Sequence, residues 1–150
     1  MNAGAMGLHL GGVLMRTPLF AAEIGKPELL RAVLENIAYA LRANLEQAEE
    51  VAGQRSKRIT LGGGLTLAPA FPRILADVLG RPIDVAQDVE VSGRGAARLL
   101  ARALGRPDGA LTIARQRIEP DPDASLAYAQ RYQRWRRLGD KLDEIMRELQ

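Results

Sequence analysis

Three consecutive glycines, Gly62, Gly63 and Gly64, stand between the apolar run I-T-L and the segment F-P-R-I-L-A-D-V-L-G. Phe71, Ile74, Leu75 and Val78 recur at helical spacing, and Gly80 follows as a stop. Residues 58–80 therefore read as a short buried strand, a glycine turn and an amphipathic helix. Adjacent glycines cost backbone entropy on folding, so a fold retains them where side chains would obstruct something. At a strand-to-helix junction, free backbone N–H groups and the positive helix end favour an anion, so the turn can cradle a phosphate or nucleotide. A tight turn with close helix–strand packing satisfies the same pattern, and the glycines alone leave both readings open.

Other chemistries are excluded by composition. The chain has no cysteine, which removes disulfides, zinc–thiolate sites and thiol nucleophiles. Its one histidine, His9, rules out multi-histidine metal sites and argues against histidine-based triads. A net charge of +3 comes with arginines spread along predicted helices, and the few aromatics are not interleaved with basic residues. Both features argue against nucleic acid as the partner. No apolar run approaches the ~20 residues of a membrane span, and the apolar opening 1–15 has no basic flank typical of a signal peptide. The expectation is a folded cytoplasmic protein with no membrane or nucleic-acid partner, its 150 residues forming one domain.

Several elements must position the turn. Short strands are expected around residues 8–10 and 13–15, then a loop over 16–26 in which Arg16 is solvated. Pro27 opens a long helix ended by Gly53, about 37 Å in length. Its apolar face is read as Leu30, Val33, Leu34, Ile37, Leu41, Leu45 and Ala48, with Glu28, Arg31, Glu35, Arg42, Glu46 and Glu49 mostly off it. After Gly80, R-P-I-D-V-A predicts a second strand, parallel to the first. Ser92 is a candidate N-cap for a helix over 93–104, with core positions Ala96, Leu99, Leu100 and Ala103 and a solvated stripe of Arg94, Arg98 and Arg102. Leu111 and Ile113 alternate too weakly to choose strand or helix. A last helix over 124–149 carries a seam of Tyr128, Tyr132, Trp135, Leu142, Met146 and Leu149, with Gly139 on it. Its aromatic stripe reads as a docking face, and Arg131, Arg134, Arg136 and Arg137 as wet surface. Two parallel strands cannot bury both faces of a sheet, so further strands from residues 1–15, or surface from another chain, are expected.

Five blocks in order carry a family resemblance: L-L-R-A-V-L-E at 29–35, I-T-L-G-G-G at 59–64, I-L-A-D-V-L-G-R-P-I at 74–83, E-V-S-G-R-G-A-A at 90–97, and P-D-P before Y-x-x-x-Y-x-x-W. Over residues 26–142 the chain resembles the C-terminal half of the FGGY carbohydrate kinases. The resemblance implies an α/β fold: part of an actin-like (sugar kinase/Hsp70/actin ATPase, ribonuclease H-like) C-terminal domain, with a long first helix, two parallel strands and a terminal helix. It implies ATP with Mg2+ as cofactors and phosphorylation of a small, pentulose-like sugar, with xylulose-type and autoinducer-2-type kinases the nearest in pattern. Gly62, Gly63 and Gly64 then line the adenosine side of the nucleotide site beside Thr66, while Asp77 and Glu90 cap or stabilise turns. The chain departs from the family at Leu67-Ala68, where serine or asparagine is usual, and at Arg73, where glutamine is common. The family's catalytic aspartate and sugar-binding residues lie upstream of these blocks, so no catalytic residue and no metal ligand is assigned here. The chain is expected to be a fragment, an expressed domain or one half of a split kinase, inactive alone, completed by an N-terminal kinase domain or by self-association. The alternative is a non-catalytic helical interaction module using the 128–135 stripe for docking. A Rossmann-like dinucleotide binder fits less well, since G-G-G-L-T lacks G-x-G-x-x-G spacing.

Overall fold

A computed structural model describes residues 25–88, 90–106 and 114–148, apart from the side chain of Met146. The expected strands before residue 16, the loop up to residue 24 and the 111–113 stretch lie outside the described residues. The chain divides into two units: Ser56–Ser125, and the described residues up to Arg55 together with those from Leu126 onward.

In the first unit, strand β1 (Thr60–Leu61) pairs parallel with β2 (Ile83–Ala86), as the sequence predicts. A third strand, β3 (Arg115–Ile118), pairs antiparallel with β2, giving the order β1-β2-β3. The sequence reading placed only the two parallel strands; β3 is a third that it did not place. R-Q-R-I has no apolar alternation to announce a strand; as an edge strand it carries exposed charge, which discourages edge-to-edge pairing. Between Arg58 at 3.4 Å and Arg117 at 3.7 Å, Asp84 makes ion pairs across the sheet's polar face.

Helix α1 (Lys26–Ala52) belongs to the second unit, and helix α2 (Phe71–Leu79) covers the other sheet face. In α2, Phe71, Ile74, Leu75 and Val78 are all buried, with Ile83 and Val85 of β2. Gly80 ends α2 in the left-handed conformation, φ 60°. The buried Asp77 accepts the Asp121 N–H at 2.8 Å, and Arg73 donates to the Glu119 carbonyl at 2.9 Å. Together they fasten the corner after β3, a turn-stabilising role for Asp77 as expected. Helix α3 (Val91–Ala103) starts with Glu90, not Ser92, at its N-cap. Its expected core positions are exposed, Leu99 at 69% and Leu100 at 62%, and Ala96 and Ala103 are exposed with them. The helix forms over the predicted span, but none of its described residues is buried.

In the second unit α1 faces helix α4 (Pro122–Glu148). The buried residues of α1 are Ala38, Tyr39 and Ala43, whereas Leu30, Val33, Leu41 and Ala48 are exposed and Leu34, Ile37 and Leu45 half-buried. The buried face is thus rotated from the predicted leucine stripe. Small Ala38 and Ala43 leave room for the rings of Tyr128, Tyr132 and Trp135, whose centroids lie 6.3, 6.0 and 5.8 Å from that of Tyr39. Tyr128 donates to Glu35 at 2.8 Å, Tyr132 to Glu46 at 2.6 Å, and Trp135 Nε1 to Asn36 at 2.8 Å. Arg131 lies over the Tyr128 ring and Arg136 donates to the Tyr132 hydroxyl, so neither belongs to a purely wet surface. Burial pushes the Tyr39 hydroxyl up to about 12, with Glu35 adding to the shift, and Tyr128 and Tyr132 are raised by burial too. The Tyr39 hydroxyl is buried without a hydrogen-bond partner among the described residues.

Candidate functional site

Because β1 and β2 run parallel, Gly62 after β1 and Gln87 after β2 emerge at the same end of the sheet. That end is where open α/β sheets place ligands. The three glycines do three different things there. A Cβ on Gly62 would come within 3.0 Å of Val91 Cγ2, so Gly62 lets the turn abut the first residue of α3. Gly63 has φ 94° and ψ −174°, a conformation essentially restricted to glycine. At Gly64 a Cβ would meet nothing within 4 Å among the described residues, which leaves the backbone open to close approach from that side.

A 3-10 helix, Gly64–Leu67, follows. Thr66 closes it twice on the Gly63 carbonyl, through its backbone N–H at 3.0 Å and its hydroxyl at 2.8 Å. Its hydroxyl proton is spent inside the turn, and only its lone pairs are available to a ligand. Leu65 and Leu67 on the same turn are exposed.

The glycine turn does not run directly into α2, contrary to the strand–turn–helix expectation. Residues 65–70 intervene, and α2 begins with the buried pair Phe71 and Pro72. The helix end beside the glycines belongs to α3. There Asp88 accepts the Glu90 N–H at 2.9 Å and forms an ion pair with Arg94. Glu90 occupies the N-cap position without a side-chain cap bond. A carboxylate already sits at the positive end of α3, so the geometry suits an uncharged moiety at the glycines better than a phosphate. Among the described residues no three metal-ligating side chains come together, and no metal-dependent step is assigned to them. The structure brings Gly62, Gly63, Gly64 and Thr66 into one turn with Leu67, while Asp88 and Val91, which the sequence did not single out, lie beside it. Only the small-residue run S-G-R-G-A-A hinted at the close approach of α3.

The sequence profile of the FGGY family of carbohydrate kinases, C-terminal domain, matches residues 6–104. Glycerol kinase 1 from Thermotoga maritima is 32% identical over 124 residues, 83% of this chain and 23% of that protein. The crystal structure of xylulose kinase from Rhodospirillum rubrum superposes with a TM-score of 0.68 at 25% identity, covering 83% of this chain and 26% of that one. A xyloylose kinase from Brucella ovis gives a TM-score of 0.63 at 29% identity, covering 83% and 27%. The chain thus spans roughly a quarter of the length of these relatives.

Proposed function

Because the chain belongs to the FGGY family of carbohydrate kinases, matching its C-terminal domain, we propose that it forms one wall of an ATP site in a kinase for a small sugar or polyol. The observation that carries this is the glycine turn at the shared end of β1 and β2, with clear space above Gly63 and Gly64. Gly62 admits α3, Gly63 supplies the mirror-image backbone, Gly64 leaves room for the nucleoside, and Thr66 holds the turn in shape. Bound ATP with Mg2+ supplies the phosphoryl group and offsets its charge; these residues bind and orient. Xylulose kinases among the structural relatives favour a pentulose as acceptor, whereas the glycerol kinases favour a three-carbon polyol. The proposed partner is the remainder of a kinase. A cytoplasmic setting accords with the finding that no described helix is long and apolar enough to cross a membrane.

Isotope-labelled chain titrated with ATP tests the site. Millimolar ATP is expected to shift the amides of Gly62, Gly63, Gly64 and Thr66, with weak affinity because one wall acts alone. Shifts confined to α1 and α4, or none, would overturn the assignment. Phosphorylation of xylulose or glycerol by the purified 150 residues is expected to be undetectable; turnover would show that they hold a complete site. The interaction-module alternative loses its docking stripe, since Tyr128, Tyr132 and Trp135 pack on α1. It now rests on the exposed leucines of α3.

A further inference from the structure

In a 3-10 helix, residues three apart stand over one another, about 6 Å along the axis. Leu67 is therefore on the face of Gly64 in the Gly64–Leu67 turn. Among the described residues nothing lies within 4 Å of a Cβ built on Gly64, and Leu67 is 70% exposed. An open backbone step and an apolar ledge thus share one face. From residue 62 to residue 70 the only side chain bearing a polar atom is Thr66, and its hydroxyl donates to the Gly63 carbonyl. On the α3 side, Asp88 and Arg94 are engaged with each other, and the Gln87 amide turns to Gln116 at 3.4 Å.

We propose that Leu67 takes the face of a purine base and that the turn does not read the base's edge, so this wall accepts ATP and GTP alike. The inference rests on the nucleotide assignment above and adds the specificity of that site. Contact with a ring face depends on ring area, which adenine and guanine share. Telling them apart requires a donor or acceptor fixed at the edge where one carries an amino group and the other a carbonyl. Sites built with such groups discriminate by about 10⁴–10⁵-fold, whereas apolar pockets reach only about 10–200-fold.

The test titrates the labelled full chain with ATP, GTP and UTP, following the amides of Gly64 and Leu67. ATP and GTP are expected to bind within about threefold of each other, and UTP, with a single ring, more weakly. A tenfold or greater preference for ATP over GTP would overturn the inference and leave the nucleotide assignment standing. No shift at residues 62–67 with any nucleotide would overturn both. Because Leu67 is exposed, Leu67→Ala leaves the fold intact, which unchanged amide positions in α2 and β2 would verify. It is expected to weaken ATP and GTP equally, by about three- to tenfold. Unchanged affinity for both in Leu67→Ala would also overturn the inference.

Discussion

Replacing Gly63 by alanine puts the structure of the turn to a quantitative test. At φ 94° and ψ −174° a Cβ has open space but the wrong backbone, because this region is strongly disfavoured for L-residues. Holding such a conformation costs about 1–3 kcal/mol. Gly64→Ala is the internal control: its φ is not positive and its Cβ also meets nothing within 4 Å. Restricting the unfolded chain there stabilises by about 0.4–1 kcal/mol. Hydrogen exchange at the Asp84 amide, which bonds the Ile59 carbonyl at 2.9 Å across the β1–β2 pair, reads the consequence. Gly63→Ala is expected to speed that exchange by about 5- to 150-fold, the equivalent of 1–3 kcal/mol. Gly64→Ala should leave exchange unchanged or slower, yet remove the ATP-induced shifts by filling the space above the backbone. Equal destabilisation by both substitutions, or no effect of Gly63→Ala, would refute the assigned turn geometry and the argument built on it.

The aromatic helix pair offers a contrast between two hydroxyls. Tyr39→Phe removes a buried hydroxyl with no partner and should be neutral or stabilising by up to about 1 kcal/mol in urea melts, while Tyr132→Phe, losing a 2.6 Å bond to Glu46, should cost about 1–2 kcal/mol. The raised tyrosine pKa values mean that the folded pair favours the neutral phenol. Their contribution is complete below pH 10 and is lost as pH climbs towards about 12. Helix content followed against pH should fall in that window, and later in Tyr39→Phe; loss of structure beginning near pH 8 would contradict this. Asp77→Ala, which removes the acceptor of the part-buried bond from the Asp121 N–H, should destabilise the Ser56–Ser125 unit by about 0.5–1.5 kcal/mol, measured by exchange at β2. Asp77→Asn keeps an acceptor and should cost less.

Helix ends were the most legible part of the chain. Pro27 and Gly53 bound α1 within a residue, and Gly80 ends α2, because those residue types act locally. Faces were less legible. The leucines of α1 share a stripe with helical period, yet Tyr39 is what packs against the aromatic rings of α4, whose Tyr128 and Tyr132 are held by Glu35 and Glu46, a polar pairing with no apolar signature. Strand β3 was hidden because its burial is slight and its stability comes from backbone pairing to β2. In the site, G-G-G identifies the turn but cannot say which glycine carries the positive φ, which abuts α3 and which faces open space. Those distinctions depend on Val91 and on the 3-10 turn, a tertiary approach and a backbone choice that composition does not encode.

The placement of the aromatic residues decides what light can report. Trp135 and the three tyrosines all fall in the unit containing α1, and the Ser56–Ser125 unit has Phe71 as its single aromatic side chain. Intrinsic fluorescence and near-ultraviolet dichroism therefore record the packing of Tyr39, Tyr132 and Trp135, and the glycine turn is optically silent. A fluorescence melt of this chain would follow the helix pair while the sheet and its turn unfolded unseen. A tryptophan installed at Leu67 would give the turn an emission signal of its own, at a position exposed enough to accept it.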